Sequence, residues 1–181
     1  YAMEAGTPYQ LIADLMRVAV ERVRAQLDTA TCADLMQIVP SLREDFPDVL
    51  AEPIGAGVDI SLRVQEAVTT VIRLIAERSD GLWIIAEDLH WADPASLAVL
   101  NYVMRRCNDL PLLVLATLRD EEVSFDSPLM DWPTASVQAP APGTMIELPP
   151  LQSDQLADLV LQVVGQDSTP LAMLLGHEAA G

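Results

Sequence analysis

Glu87 and Asp88 stand side by side directly after the short apolar run "LWIIA". Arg119 closes a second apolar run, "LLVLATL". Two adjacent carboxylates can hold a hydrated Mg²⁺, and one of them can orient a water. A cation on a neighbouring strand can meet a phosphate, and together these are the parts of nucleotide hydrolysis. A plainer reading uses the same residues. The acid pair then only caps the following turn, and Arg119 pairs on the surface with Asp120, Glu121 or Glu122. In that reading Trp91 packs under the next helix and His90 bonds a backbone carbonyl. A metal-hydrolase reading of Glu87, Asp88 and His90 is weaker, because no further His or acid cluster stands at ligand spacing.

The chemistry requires the two runs to be neighbouring parallel strands, since ligands of parallel sheets bind beyond the carboxyl ends of the strands. Each run is short, apolar on both faces and bounded by turn residues, as expected of a strand buried under helices on both sides. Between them, Asp93-Pro94 is a helix start, with Asp as N-cap and Pro in the first turn. The helix "PASLAVLNYVMRRCN" carries Leu97, Leu100, Val103 and Met104 on one side, and Arg105 and Arg106 near its end. Strand, helix and strand fit within about 36 residues, the size of a βαβ unit.

Upstream, Thr7-Pro8 predicts a helix start, and Leu11, Leu15 and Val18 with Ile12, Met16 and Val23 predict a helix to about Leu27. "CADLMQIV" reads as a shorter helix stopped at Pro40, and "SLREDFPDV" as a further turn. Residues 48–59 read as a loop whose Asp59 caps the next helix. Leu62, Ala67, Val68, Val71, Ile72 and Ile75 then form an apolar stripe up to Arg78. Downstream, residues 120–143 contain four Pro and read as a long surface loop. "TMIEL" is expected to be a third short strand. Ser153 is expected to cap an amphipathic helix bearing Leu156, Leu159, Val160, Val163 and Val164, ended by Gly165. "TPLAMLLGHEAAG" begins one more helix.

The 181 residues are 51% hydrophobic and 4% aromatic, so the core must be aliphatic. A net charge of −17 argues against direct contact with nucleic acid, which needs clustered cations. It also makes phosphate binding depend on local cations or Mg²⁺. No apolar run approaches the roughly 20 residues of a membrane helix, and no secretory signal opens the chain. Cys32 and Cys107 read as buried free thiols of a reducing compartment, which suits the cytoplasm. The chain starts without Met, in mid-pattern, and reads as a piece of a longer polypeptide.

"LWIIAEDLHWADPASLAVLNYVMRR" followed by "LPLLVLATLRDEE" resembles the ATPase core of STAND-class P-loop proteins, found in large LuxR-type bacterial transcriptional regulators. Two separate motifs occur in the family's order and with its gap. The resemblance extends to "YAMEAGTPYQLIADLMR", to "IELPPLQSDQLADLVLQVVG", which leads into the family's lid, and to "LLGHEAAG". It implies an α/β fold: a three-layer P-loop NTPase-like parallel sheet flanked by helices. Residues 1–150 would form a partial core and residues 151–181 the start of a helical lid. It implies ATP and Mg²⁺ as cofactors. Glu87 aligns with the Mg²⁺ residue and Asp88 with the residue that polarises the attacking water, two roles that so close a pair can exchange, so both count as metal ligands. Thr117, Leu118, Arg119 and Asp120 match the end of the sensor strand. There Thr117 and Arg119 would face the nucleotide, and Arg119 the γ-phosphate. The partners implied are ATP, other domains of the same polypeptide and, on ATP binding, further copies of the protein. The chain departs from the family in two places. No G-x-x-x-x-G-K-[ST] loop occurs and there is no Lys at all, and the family's Gly-Asn-Pro motif is incomplete at Gly181. The expectation is therefore an ATP-binding segment of a signalling regulator, inactive by itself. The alternative is a non-catalytic interaction domain with a degenerate ATPase fold.

Overall fold

The computed structural model describes residues 7–50, 60–123, 129, 144–165, 170–171 and 173–175. The chain divides into two units, Tyr1–Gly143 and Thr144–Gly181, where the sequence reading sets its boundary after residue 150.

In the first unit, α1 spans Gln10–Val23. It starts later than Thr7-Pro8 suggests. Tyr9 precedes it in a left-handed conformation (φ 66°), and the Tyr9 N–H is taken by the Asp93 carboxylate at 2.9 Å. The helix buries Ile12, Ala13, Met16, Ala19, Val20 and Val23, while Val18 is 64% exposed. Val18 thus lies off the buried stripe, one helical step from the face that Ile12, Met16 and Val20 define. The α-helix gives way to a 3₁₀ turn, Arg24–Gln26, before Leu27. Helix α2 (Thr29–Leu35) is capped by Asp28, whose side chain accepts from the Thr31 N–H at 2.7 Å. The short α3 covers Leu42–Asp45.

Helix α4 (Ile60–Ala76) is central: α1, α2 and α5 (Pro94–Arg106) all pack on it. It buries Val64, Ala67, Val68, Val71, Ile72 and Ile75, but Leu62 is exposed. Each fully buried aliphatic side chain contributes about 1.5–3 kcal/mol, so this helical layer carries the stability of the unit. Asp59 and the rest of 51–59 lie outside the described residues.

Strands β1 (Leu82–Ala86) and β2 (Leu112–Ala116) pair in parallel, from Leu82 opposite Leu112 to Ala86 opposite Ala116, with α5 as the crossover. The fold is therefore mixed α/β with a parallel strand pair, as the βαβ pattern predicts. Two-sided burial is not what the described residues show. Ile84 and Ala86 join the helical core, whereas Trp83 (72%), Ile85 (61%), Leu113 (49%) and Leu115 (51%) face outward, exposed. Successive strand side chains point to opposite faces, so one face of the pair is covered and the other is open.

A 3₁₀ turn covers Asp120–Glu122. Most of the expected loop up to residue 143 lies outside the described residues. In the second unit residues 144–150 adopt no regular structure, so "TMIEL" is not a strand. A strand is held by its ladder bonds to a neighbour, and the described residues offer it none. Helix α6 spans Ser153–Val164. Gln152, not Ser153, is its cap: the Gln152 and Gln155 side chains bond reciprocally to the backbone as a capping box. Gly165 ends it at φ 76°. Of its apolar stripe only Val160 is buried. Residues 170–171 and 173–175 are helical, and the remainder of the expected last helix lies outside the described residues.

Candidate functional site

The parallel register brings the predicted residues to one end of the strand pair. Ala86 and Ala116 are the last partners in the ladder, so Glu87 and Thr117 are the next residues on adjacent strands. The pairing continues beyond the strands through local bonds. Thr117 N–H donates to the Ala86 carbonyl at 3.0 Å, and Leu89 N–H donates to the Thr117 carbonyl at 2.8 Å. Asp88 N–H donates to Thr117 Oγ1 at 3.1 Å. Thr117 is thereby the clasp between the two strand ends.

Asp88 sits at φ 52°, ψ 46°, in the left-handed region. Non-glycine residues rarely adopt it, although Asp tolerates it better than most. The conformation turns the chain sharply out of β1 into a 3₁₀ turn, Leu89–Trp91, where Trp91 N–H donates to the Asp88 carbonyl at 3.0 Å. The Asp88 side chain caps nothing in that turn. Glu87 is exposed, and among the described residues no ion pair engages either carboxylate. The capping explanation of the acid pair therefore loses its support at Asp88.

Arg119 follows the plainer expectation. Its guanidinium is exposed and Nη1 donates to Glu122 Oε1 at 3.1 Å. His90 does not bond a carbonyl. Its Nδ1 instead accepts the Arg119 backbone N–H at 3.2 Å, which places the ring proton on Nε2. The His90 side chain is wholly buried, with Nε2 3.3 Å from Glu122 Oε2. Nε2 nonetheless makes no aligned hydrogen bond; the contact is electrostatic proximity. Trp91 does not pack under α5. It is 57% exposed, meets the His90 ring edge-on at 4.9 Å and donates from Nε1 to Glu122 Oε2 at 3.2 Å. One His90 nitrogen thus takes a backbone N–H and the other faces Glu122. Among the described residues no three His, Cys, Asp or Glu side chains gather as a metal centre.

Asp93 caps α5 as its sequence suggests: Oδ1 accepts from Ser96 N–H at 2.9 Å and Oδ2 from the Ser96 hydroxyl at 2.6 Å. It also takes the Tyr9 N–H, a bond 84 positions away in sequence. Burial opposes charge on this carboxyl, but the bonds from Ser96, Tyr9 and Gln10 outweigh it and hold Asp93 below the usual carboxylate range. Two features escaped the sequence reading, the Tyr9–Asp93 bond and the convergence of Arg119, Trp91 and His90 on Glu122. Of the second, the Arg119–Glu122 pair is among those the sequence offers, and only the arrival of Trp91 and His90 escaped.

No family model, curated protein or solved structure matches this chain. Among the described residues no helix is long and apolar enough to cross a membrane.

Proposed function

We propose that this chain is the ATP-binding and ATP-hydrolysing core segment of a signal-transducing regulator, one that controls transcription through domains outside it. The supporting observation is the meeting of Glu87, Asp88, Thr117 and Arg119 at the carboxyl ends of two hydrogen-bonded parallel strands. In this reading Glu87 and Asp88 hold Mg²⁺ from one side. Two carboxylates suit an ion that keeps several waters and takes further oxygens from phosphate. The ion supplies charge neutralisation at the phosphates. Asp88 polarises the attacking water with a carboxylate that forms no ion pair among the described residues. Thr117 fixes the backbone that carries Asp88 and faces the nucleotide, and Arg119 meets the γ-phosphate. The reading requires a phosphate-binding loop from outside these residues, since none occurs within them. It also requires the three-layer P-loop arrangement, in which the open face of β1 and β2 lies under a second helical layer. Free buried Cys32 and Cys107 agree with a reducing, cytoplasmic setting.

That open face also favours a second reading, an interaction domain that has the strand pair without the catalysis. Exposed contiguous apolar surface is a mark of protein contact.

Calorimetry with Mg²⁺-ATP separates the two, on this chain and on a polypeptide that also carries an upstream P-loop. We expect only the longer form to bind. Glu87→Gln with Asp88→Asn should leave binding in place and lower turnover by about 10²- to 10⁴-fold. A P-loop-bearing form that ignores ATP sinks the ATPase reading and leaves the interaction domain.

A further inference from the structure

Glu122 is the meeting point of the strand-end cluster. Oε1 accepts from the Arg119 guanidinium, and Oε2 accepts from the Trp91 indole while lying 3.3 Å from the buried His90 Nε2. The two ends of this arrangement differ in firmness. His90 is wholly buried and fixed through Nδ1 to the Arg119 backbone, whereas the Arg119 side chain is 64% exposed. An exposed ion pair of this kind is held weakly. A phosphoryl group offers more charge and more acceptor oxygens than a carboxylate, and a guanidinium fork binds it in two-point fashion. Arg119 can leave Glu122 for such a group while Glu122 stays on Trp91.

We infer that Glu122 is an internal competitor for the anion site at Arg119. It parks the guanidinium when no phosphoryl group is present and lowers the affinity for one. This inference rests on the phosphate-facing role given to Arg119 above. It adds a residue that sets affinity and makes the Arg119–Glu122 pair a reporter of occupancy.

The test uses inorganic tripolyphosphate as the probe, titrated into the polypeptide that also carries an upstream P-loop. The signals followed are the NMR resonances of the Arg119 Nε–Hε and Trp91 indole groups. Glu122→Gln keeps the shape of the side chain and removes its charge. We expect it to bind the probe roughly three- to tenfold more tightly, because the Arg119 guanidinium is released from its ion pair. In the wild-type chain the Arg119 and Trp91 resonances should move together during the titration. Adding Arg119→Gln should abolish the gain. A gain that vanishes with Arg119 reports competition for that guanidinium. Binding by the Glu122→Gln chain that is no tighter than wild type overturns the inference. So does a gain that persists without Arg119. The outcome is separable from that of the ATP experiment. A gain with tripolyphosphate beside a P-loop-bearing form that ignores ATP sinks only the ATPase reading. Normal ATP binding beside no gain sinks only the role of Glu122.

Discussion

Asp88 pairs an unfavourable backbone with a carboxylate that caps nothing and forms no ion pair among the described residues. A left-handed conformation costs an ordinary residue roughly 1–2 kcal/mol, Asp less and Gly almost nothing. We therefore expect Asp88→Gly to leave stability unchanged or raise it by up to about 1 kcal/mol, and Asp88→Ala to lower it by about 1 kcal/mol. Urea denaturation reads both. A Gly variant that is less stable than wild type by more than that margin would return the side chain to a structural role. Glu87, Asp88, Thr117 and Arg119 were legible in the sequence because strand ends are marked by where apolar runs stop. Glu122 was legible only as one of three acids near Arg119, because its full part depends on an indole and an imidazole arriving from the 3₁₀ turn that follows β1. No pattern in one segment records such a meeting.

Among the elements, the start of α5 does two jobs. Asp93 caps its own helix and also receives the backbone of Tyr9, so the first turn of α5 is tied to the first turn of α1. Asp93→Asn keeps an acceptor for both N–H groups but loses the charge and the Oδ2 bond to the Ser96 hydroxyl, and should cost about 1 kcal/mol near neutral pH. Because its folded value lies below the usual range, the charged form's contribution is full above the unfolded value of about 3.9 and fades as pH falls through the folded one. Thermal melts at pH 7 and pH 3 should show the gap between wild type and Asp93→Asn narrow in acid. An equal gap at both values would show that the charge on Asp93 stabilises nothing. The same bond explains why the start of α1 was misread from sequence. Thr7-Pro8 is a sound local signal, yet a distant carboxylate captures Tyr9 N–H and sets the start at Gln10. The helices, both strands and the Asp93-Pro94 start were legible because their periodicity and capping residues are local. "TMIEL" failed as a strand because apolar composition supplies no pairing partner.

At the scale of the molecule, a charge of −17 is set against the open apolar face of Trp83, Ile85, Leu113 and Leu115. Repulsion between chains reaches far at low salt, where the Debye length is about 30 Å at 0.01 M, and shrinks to about 8 Å at 0.15 M. We expect the hydrodynamic radius to rise with NaCl in dynamic light scattering, and Ile85→Lys to suppress the rise. A radius independent of salt would mean that the face is not adhesive. Two-sided burial was over-read from sequence for a simple reason. An apolar run shows that both faces of a strand avoid water, and does not show what covers each of them.

Trp83, 72% exposed in the middle of that face, gives the molecule an optical signal. A solvated indole emits to the red, and the same indole under a protein layer emits to the blue. Whatever settles on the sheet therefore announces itself in the tryptophan spectrum, with no label needed, and exchanging Trp83 for Phe identifies which part of the signal comes from there.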